Sequence, residues 1–364
     1  MKKTLCLLMA IAMILSLAAC GASSAPAAPA ASEAPAEAPA ASDAAPAESA
    51  AAEGETYTIT VTNVLADDSP ENVALQSFKR EMEEGSGGRI TVEIYNNGIM
   101  GGEMENVENV RNNNVTMTMA ASSVLANFVP ECELFDLPYA FPTVEIGTKA
   151  LNDEAILGAL NDAFGAAGLH FVGANTADYR WLTCKIPVNS LEDLKGLKIR
   201  VMENQNHVAL WKALGANPTP MAGGGQLYTS LQNGTVDAQE NPVAQINNNK
   251  YYEVQSYFVD TRHIMNVSGW ITSTSWYEGL SDADRELFDT ATANFIFEAY
   301  QLGTNRLEED KAACIAGGMT CIELSDEIRE QFKEAVGDTV ESKIRADIGD
   351  GLVDTLLACV EKYK

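Results

Sequence analysis

The sequence has few basic residues and very few histidines. Of its 364 residues, 51 are Asp or Glu, 24 are Lys or Arg and three are His, so the formal net charge is −27 at pH 7. Binding of nucleic acid and charge-driven adhesion to an anionic membrane both need clustered basic residues, so this balance argues against both. Hydrophobic residues make up 46% of the chain, which is enough for a packed core and argues against a wholly disordered protein.

The common motifs of catalysis and metal binding are also missing. The sequence has no G-x-S-x-G, no P-loop and no H-E-x-x-H, and His170, His207 and His263 are scattered along the chain. Its seven cysteines include no C-x-x-C pair, so a zinc site is not supported. Whether Cys314 and Cys321 form a disulfide is left open. We therefore expect no catalysis, no cofactor and no metal.

The first residues have the features of a secretion signal. Lys2 and Lys3 precede an apolar run at 5–17 that is too short to span a bilayer permanently. The small residues that end at Cys20 resemble a bacterial lipoprotein signal, which implies cleavage before Cys20 and a lipid on its sulfur. An ordinary signal peptide with an incidental cysteine is the alternative. We predict a signal peptide at 1–19 and a protein outside the cytoplasm that is anchored to the cell membrane by lipid.

A segment rich in Ala and Pro follows the signal. Residues 21–54 contain 17 Ala and five Pro and no Lys, Arg or aromatic residue. Such a segment cannot bury enough apolar surface to offset its ordering entropy, and its prolines recur too often for one helix. We predict that residues 20–56 form a tether. The remaining residues, 57–364, are more than a single hydrophobic core usually contains, which suggests two lobes.

Alternating strand and helix patterns predict an α/β fold. Residues 58–64 alternate with the period of a strand, and residues 70–85 have the apolar spacing of a helix that begins after Ser69. Strand patterns at 89–95 and 115–120 follow, with a second helix between them. This β-α-β-α-β order is typical of an open, largely parallel sheet with helices on both faces.

The second half continues this pattern and adds a long helix. A helical stretch is predicted at 144–168, and Ser281 is a strong helix start for a helix that runs to Ala316 and lies across two lobes. Further strands are predicted at 169–173, 197–202, 235–238 and 267–273, and further helices at 208–214, 226–232, 324–340 and 351–363. Two α/β units with crossings between them indicate a cleft, and ligands of open α/β sheets bind beyond the carboxyl ends of the strands.

Arg200 is a candidate for binding an anionic ligand. It lies late in an apolar strand, on the side opposite Ile199 and Val201. Arg is rarely buried without a partner, and its planar fork matches a carboxylate through two hydrogen bonds. A ligand carboxylate at the end of this strand is one interpretation, and a surface Arg on an edge strand is the other.

Several segments occur in a joint order that is more specific than any one motif. These segments are 137–139, 194–201, 214–221, 227–234, 236–242 and 252–254. Together they resemble the solute-binding subunit of TRAP transporters, the tripartite ATP-independent periplasmic carriers of organic acids. The resemblance covers residues 57–364 and implies a two-lobed α/β periplasmic-binding-protein-like fold with crossing hinge strands and a long lobe-spanning helix. It also implies capture of an organic acid by lobe closure and its delivery to membrane carrier subunits.

The resemblance implies lobe boundaries and site residues. Lobe I is expected at 57–178 and 267–306, lobe II is expected at 179–266 and 307–364, and the protein is expected to be a monomer. The family's carboxylate-anchoring Arg falls on Arg200. The remaining ligand-binding positions that we expect are Arg180, Asn241, Glu203, His207, Ser122, Tyr179 and Trp270, although core packing is an equally good reading of the two aromatic residues.

The sequence departs from the family pattern at 223–226, where Gly-Gly-Gly-Gln stands in place of a segment that often has an aromatic and an acidic residue, so no ligand can be carried over. The family's sialic-acid branch has an acidic residue near the position of Ala121 or Ser122. Neither residue is acidic here, which argues against binding of a ligand amine at this point. Glu203 would favour ligand hydroxyls over a second carboxylate. We expect a hydroxylated monocarboxylate such as a uronate or an aldonate. A C4-dicarboxylate held through Arg180 and presentation of the ligand to a membrane sensor stay open, and a secreted hydrolase or lyase is a weaker alternative.

Overall fold

The computed structural model describes residues 54–176 and 178–364. The predicted signal peptide, the lipidated Cys20 and most of the predicted tether lie outside these residues. Among the helices of the described part, none combines the length and the hydropathy that a bilayer crossing requires.

Sheet I contains the predicted N-terminal β-α-β-α-β unit. Its strands are β1 (Tyr57–Thr62), β2 (Ile90–Tyr95), β3 (Met117–Ala121), β4 (Leu169–Asn175) and β10 (Ser268–Ser273). They lie in the order β2-β1-β3-β10-β4. The first three are parallel, as predicted, whereas β10 is antiparallel to both of its neighbours. The sheet is therefore completed by a strand that arrives from much later in the chain.

Sheet II is built from short strands. They are β5 (Trp181–Cys184), β6 (Lys198–Val201), β7 (Asn217–Pro220), β8 (Ala238–Asn241), β9 (Tyr257–Asp260) and β11 (Thr320–Glu323), in the order β11-β9-β5-β8-β6-β7. The sequence patterns did not predict β5, β7, β9 or β11, because four residues are too few to establish an alternating period. Strand β8 begins at Ala238, where the predicted strand ends, so that Glu240 and Asn241 belong to the sheet.

The helices cover both sheets. They are α1 (Pro70–Gly85), α2 (Glu103–Arg111), α3 (Ser122–Leu125), α4 (Val144–Leu151), α5 (Glu154–Ala166), α6 (Gln205–Ala213), α7 (Gly225–Asn233), α8 (Val243–Asn248), α9 (Thr274–Glu278), α10 (Asp282–Ala316), α11 (Asp326–Val336), α12 (Thr339–Ile348) and α13 (Asp350–Tyr363). The single helix predicted at 144–168 is two helices, because the Asp153 side chain accepts the N–H of Ala155 and caps a new start.

Helix α10 connects the two sheets. It starts where Ser281 accepts the N–H of Asp284, as the sequence predicted. Its first half packs on α1, where Phe288 and Phe295 contact the ring of Phe78, and its second half packs on α8 and β11. The prediction of a long helix across both lobes is confirmed.

The chain also crosses between the sheets after β4 and before β10. These two crossing segments run side by side, since Arg180 N donates to Ile264 O at 2.9 Å and Asn266 N donates to Asp178 O at 2.9 Å. The predicted lobe boundaries near residues 178 and 267 fall at these crossings. Helix α13, which was assigned to lobe II, packs against α4 and α5, which were assigned to lobe I. The lobe boundaries stay a prediction.

Candidate functional site

A cavity lies beside the crossing segments, and both sheets contribute to it. Its volume is about 150 Å³, which suits a small organic molecule. Sheet I contributes Ala121, Ser268 and Asn175, which are paired side by side on neighbouring strands. Sheet II contributes Arg200 and Asn241 near the carboxyl ends of β6 and β8. This is where ligands bind in open α/β sheets.

Arg200 supplies an unpaired positive charge to the cavity. Its side chain is only 1% exposed, its Nε donates to Met221 O at 2.7 Å, and its Nη1 has no hydrogen-bond partner among the described residues. Burial lowers the pKa of its guanidinium, yet the group stays charged at neutral pH. A buried, charged donor without an acceptor is costly, so a ligand that supplies an anionic oxygen is strongly favoured here.

The glycine loop before α7 lies beside the guanidinium of Arg200. Ala222, Gly223 and Gly224 line the cavity, and a side-chain carbon added at Gly223 would come within 3.8 Å of Arg200 Nη2. The departure from the family pattern at 223–226 is therefore located directly beside the unpaired fork.

Arg180 also lines the cavity, but its donors are committed to the protein. Its Nε and Nη2 bind the two carboxylate oxygens of Glu240, and Nη2 donates to Glu240 O at 2.7 Å. Its Nη1 donates to Asn266 Oδ1 at 2.9 Å, and Nη2 reaches Asn241 Oδ1 at 3.2 Å. We conclude that Arg180 shapes the cavity wall and that its fork is closed to a ligand carboxylate by Glu240.

Glu240 is the centre of a buried polar network that the sequence did not reveal. Burial raises the pKa of Glu240, but the Arg180 charge, the hydrogen bond from His263 and the nearby His207 outweigh it and hold the pKa well below its ordinary value. His263 Nε2 lies 3.2 Å from Glu240 Oε2, and His207 Nδ1 lies 3.7 Å from Glu240 Oε1. His207 Nε2 lies 3.3 Å from Asp136 Oδ1. His207, expected at the ligand, is therefore part of this network and does not line the cavity.

Three further expected ligand contacts are also placed away from the cavity lining. Trp270 is fully buried in the core of sheet I, where its Nε1 donates to Asn175 Oδ1 at 2.7 Å. Tyr179 donates its hydroxyl to Phe141 O at 2.8 Å. Ser122 is the buried first residue of α3. For the two aromatic residues, the core-packing reading agrees with the structure, because each ring is buried and each polar atom already has a protein partner.

Asn241 and Glu203 do line the cavity. The Asn241 Oδ1 accepts from Arg180, and its Nδ2 donates to Gln239 Oε1, which leaves one amide hydrogen for a ligand. The Glu203 side chain is exposed and follows directly after Met202 beyond the end of β6. Four of the eight expected residues, the two arginines with Asn241 and Glu203, are thus brought together.

Three polar groups in the cavity were missed from the sequence. Glu103, in the first turn of α2, accepts the N–H of Ala121 through Oε1 at 3.2 Å, and burial raises the pKa of its carboxyl. Burial also raises the pKa of Asp178 to about 6. The hydroxyl of Thr176 is buried without a hydrogen-bond partner among the described residues. Nothing in the local sequence sets these residues apart, because only the fold brings them to one cavity.

No metal centre is visible in the described part of the chain, where no group of three or more His, Cys, Asp or Glu side chains could hold an ion. The five cysteines of this part are free thiols, and Cys314 and Cys321 are not bonded to each other.

The chain is similar to a family of known proteins. Residues 61–346 match the family described as bacterial extracellular solute-binding protein, family 7. A solute-binding protein of Verminephrobacter eiseniae is 32% identical over 311 residues, which cover 82% of this chain and 91% of the relative.

Two solved structures are similar to this chain. The sugar acid binding protein DctPAm of Advenella mimigardefordensis, in complex with galactonate, is 29% identical with a TM-score of 0.80 and covers 86% of this chain and 100% of that chain. A TRAP periplasmic solute binding protein of Roseobacter denitrificans with bound L-galactonate is 29% identical with a TM-score of 0.77 and covers 84% and 99%.

These matches confirm the two-lobed α/β fold and the resemblance to TRAP solute-binding subunits. They also confirm the expectation that the protein is not an enzyme, since the family and its structural neighbours bind solutes for transport. The chain belongs to the bacterial extracellular solute-binding proteins of family 7, the solute-binding subunits of TRAP transporters.

Proposed function

We propose that this protein binds a hydroxylated monocarboxylate, a sugar acid of the aldonate or uronate type, and delivers it to a TRAP membrane carrier. The observation that carries the proposal is the buried guanidinium of Arg200, which faces the cavity with Nη1 unpaired among the described residues. Each charge-assisted hydrogen bond to it would contribute about 1.5–3 kcal/mol, and a carboxylate can accept two of them in one plane.

The other residues that line the cavity favour hydroxyl groups on the ligand over a second carboxylate. Glu103, Asp178 and Glu203 line it, and like charges would oppose a second anionic group. The alternative of a C4-dicarboxylate held by both arginines is less well supported, because Glu240 already occupies the fork of Arg180. Two similar structures carry galactonate, which is a polyhydroxylated monocarboxylate.

A thermal-shift panel tests this proposal. Galactonate, gluconate, glucuronate and succinate are compared at equal concentration, with galactose as the control that keeps the hydroxyls and lacks the carboxylate. A ligand at one hundred times its Kd should stabilise the protein by about 2.7 kcal/mol. We expect a shift with at least one sugar acid, none with galactose and a smaller one with succinate. A shift with succinate alone would contradict the ligand class, and no shift with any acid would contradict the proposal.

We propose further that the protein is a monomer held at the outer face of the cell membrane by a lipid on Cys20. The residue order before Cys20 supports this. Incorporation of labelled fatty acid in cells should be lost in Cys20→Ser and kept in Cys6→Ser. Equal labelling of the two variants would contradict the anchor, and sedimentation of the purified protein as a dimer would contradict the monomer.

A further inference from the structure

Glu103 has one carboxylate oxygen that no protein group uses. Its Oε1 accepts the N–H of Ala121, and its Oε2 has no donor among the described residues. The residue borders the cavity, so the unused oxygen is available to whatever the cavity holds. A half-buried carboxylate of this kind is stabilised by a ligand donor and destabilised by a ligand anion.

A second unpartnered group belongs to the same end of the cavity. The hydroxyl of Thr176 is buried and has no hydrogen-bond partner in the described ranges. Thr176 follows Asn175, which pairs with Ser268, and Ser268 pairs in turn with Ala121. Since neighbouring strands are about 4.8 Å apart, Ala121, whose N–H binds Glu103, and Asn175, which precedes Thr176, lie roughly 10 Å apart across the end of sheet I.

The two sheets therefore present different chemistry to one cavity. Sheet II supplies the unpaired cation of Arg200, while Glu103, which binds the end of β3, supplies an acceptor and Thr176, which follows β4, supplies a hydroxyl. Arg200 and Glu103 influence each other electrostatically but do not form an ion pair in the described structure. A ligand that lies between them has to be anionic at one end and a hydrogen-bond donor at the other.

We infer that Glu103 is a specificity-determining residue, which accepts a hydrogen bond from a hydroxyl group of the ligand and rejects a second carboxylate. The inference rests on the proposed function, in which Arg200 binds the ligand's carboxylate. It assigns the discrimination between sugar acids and diacids to one side chain in the first turn of α2.

A matched pair of ligands tests the inference. Galactonate and galactarate share their carbon skeleton and one carboxylate, and they differ only in a terminal group, which is CH2OH in the first and carboxylate in the second. Calorimetry near pH 7.5 on the whole protein measures both Kd values for the wild type, for Glu103→Gln and for Glu105→Gln. Glu105 is an exposed residue of the same helix that does not line the cavity, so it is the matched control.

We expect the wild type and Glu105→Gln to bind galactonate at least tenfold more tightly than galactarate. Glu103→Gln should weaken galactonate binding about tenfold, because a neutral acceptor replaces a charged one, and it should strengthen galactarate binding. The amide of Gln can still accept the N–H of Ala121, so the loop geometry is kept. If Glu103→Gln does not fold, Glu103→Asp, which withdraws the charge from the cavity, should lower the same ratio.

Failure of the inference is separable from failure of the proposed function. An unchanged galactonate-to-galactarate ratio in the Glu103 variant would overturn the inference, while binding of galactonate by the wild type would still support the proposed function. A wild-type protein that binds neither acid would overturn the proposed function, and the inference with it.

Discussion

Glu240 occupies the fork of Arg180 inside the protein. Both side chains are almost fully buried, and the pair is joined by contacts to both carboxylate oxygens. Of the two guanidinium groups that line the cavity, this pairing leaves that of Arg200 for a ligand. The two arginines therefore have different roles, since Arg180 is paired within the protein and Arg200 is available to a ligand.

Glu240→Gln should destabilise the protein strongly. The variant leaves the buried charge of Arg180 without its carboxylate, and breaking such a pair typically costs about 3–5 kcal/mol in the free energy of unfolding. Urea denaturation measures this loss. Glu334→Gln, at an exposed residue of α11, is the matched control and should change stability by less than about 0.5 kcal/mol. Equal losses in the two variants would contradict the structural role of the pair.

His207 should stabilise the protein more at low pH than at high pH. Burial lowers the pKa of His207, but the hydrogen bond to Asp136 and the nearby carboxylate of Glu240 outweigh it and leave the pKa above its ordinary value of 6.5. A folded-state pKa that is raised gives stability that is fully present below the unfolded pKa and is lost as the pH rises through the folded value.

The difference in unfolding free energy between the wild type and His207→Gln should therefore be larger near pH 6 than near pH 8.5. The comparison between variants matters because His263, on the other side of Glu240, has a lowered pKa and acts in the opposite direction. A difference that is constant over this range would contradict the assignment.

Discrimination against diacids should weaken as the pH falls. Burial raises the pKa of Glu103, so this carboxyl takes up a proton at a higher pH than an exposed Glu does. Between pH 7.5 and pH 5, the Kd of galactarate relative to galactonate should fall in the wild type. Asp178, with a pKa raised to about 6, titrates in the same cavity and the same range.

The Glu103→Gln variant distinguishes the effect of Glu103 from that of Asp178. If Glu103 causes the effect, the ratio of Kd values becomes nearly independent of pH in this variant. A ratio that still falls to the same extent would assign the effect to Asp178 instead.

Local signals in the sequence were sufficient to predict the long helices of the fold. The helix after Ser69 and the helix after Ser281 begin at side chains that cap their first turns, and the apolar spacing of each is long enough to fix its period. The four-residue strands β5, β7, β9 and β11 carry no such period. The antiparallel insertion of β10 between β3 and β4 depends on contacts between distant parts of the chain.

The site could be predicted only where a motif or a resemblance marked the residue. Arg200 and Asn241 belong to segments with a specific spacing, and both line the cavity. Glu103 carries no local mark, because its role depends on the approach of α2 to the end of β3. Trp270 and Tyr179 are aromatic, as residues of a pocket wall often are, but both are buried in the protein's own core and their polar atoms bind protein groups.

Binding of galactonate to Arg200 variants, measured by calorimetry, tests the central claim most directly. Arg200→Ala should lose at least about one hundredfold in affinity, because two charge-assisted hydrogen bonds are removed, and Arg200→Lys should bind weakly, because an ammonium lacks the planar fork. Arg80→Ala, at an exposed residue of α1, should bind as the wild type does, and circular dichroism should show all three variants folded. A folded Arg200→Ala that binds galactonate as tightly as the wild type would contradict the account.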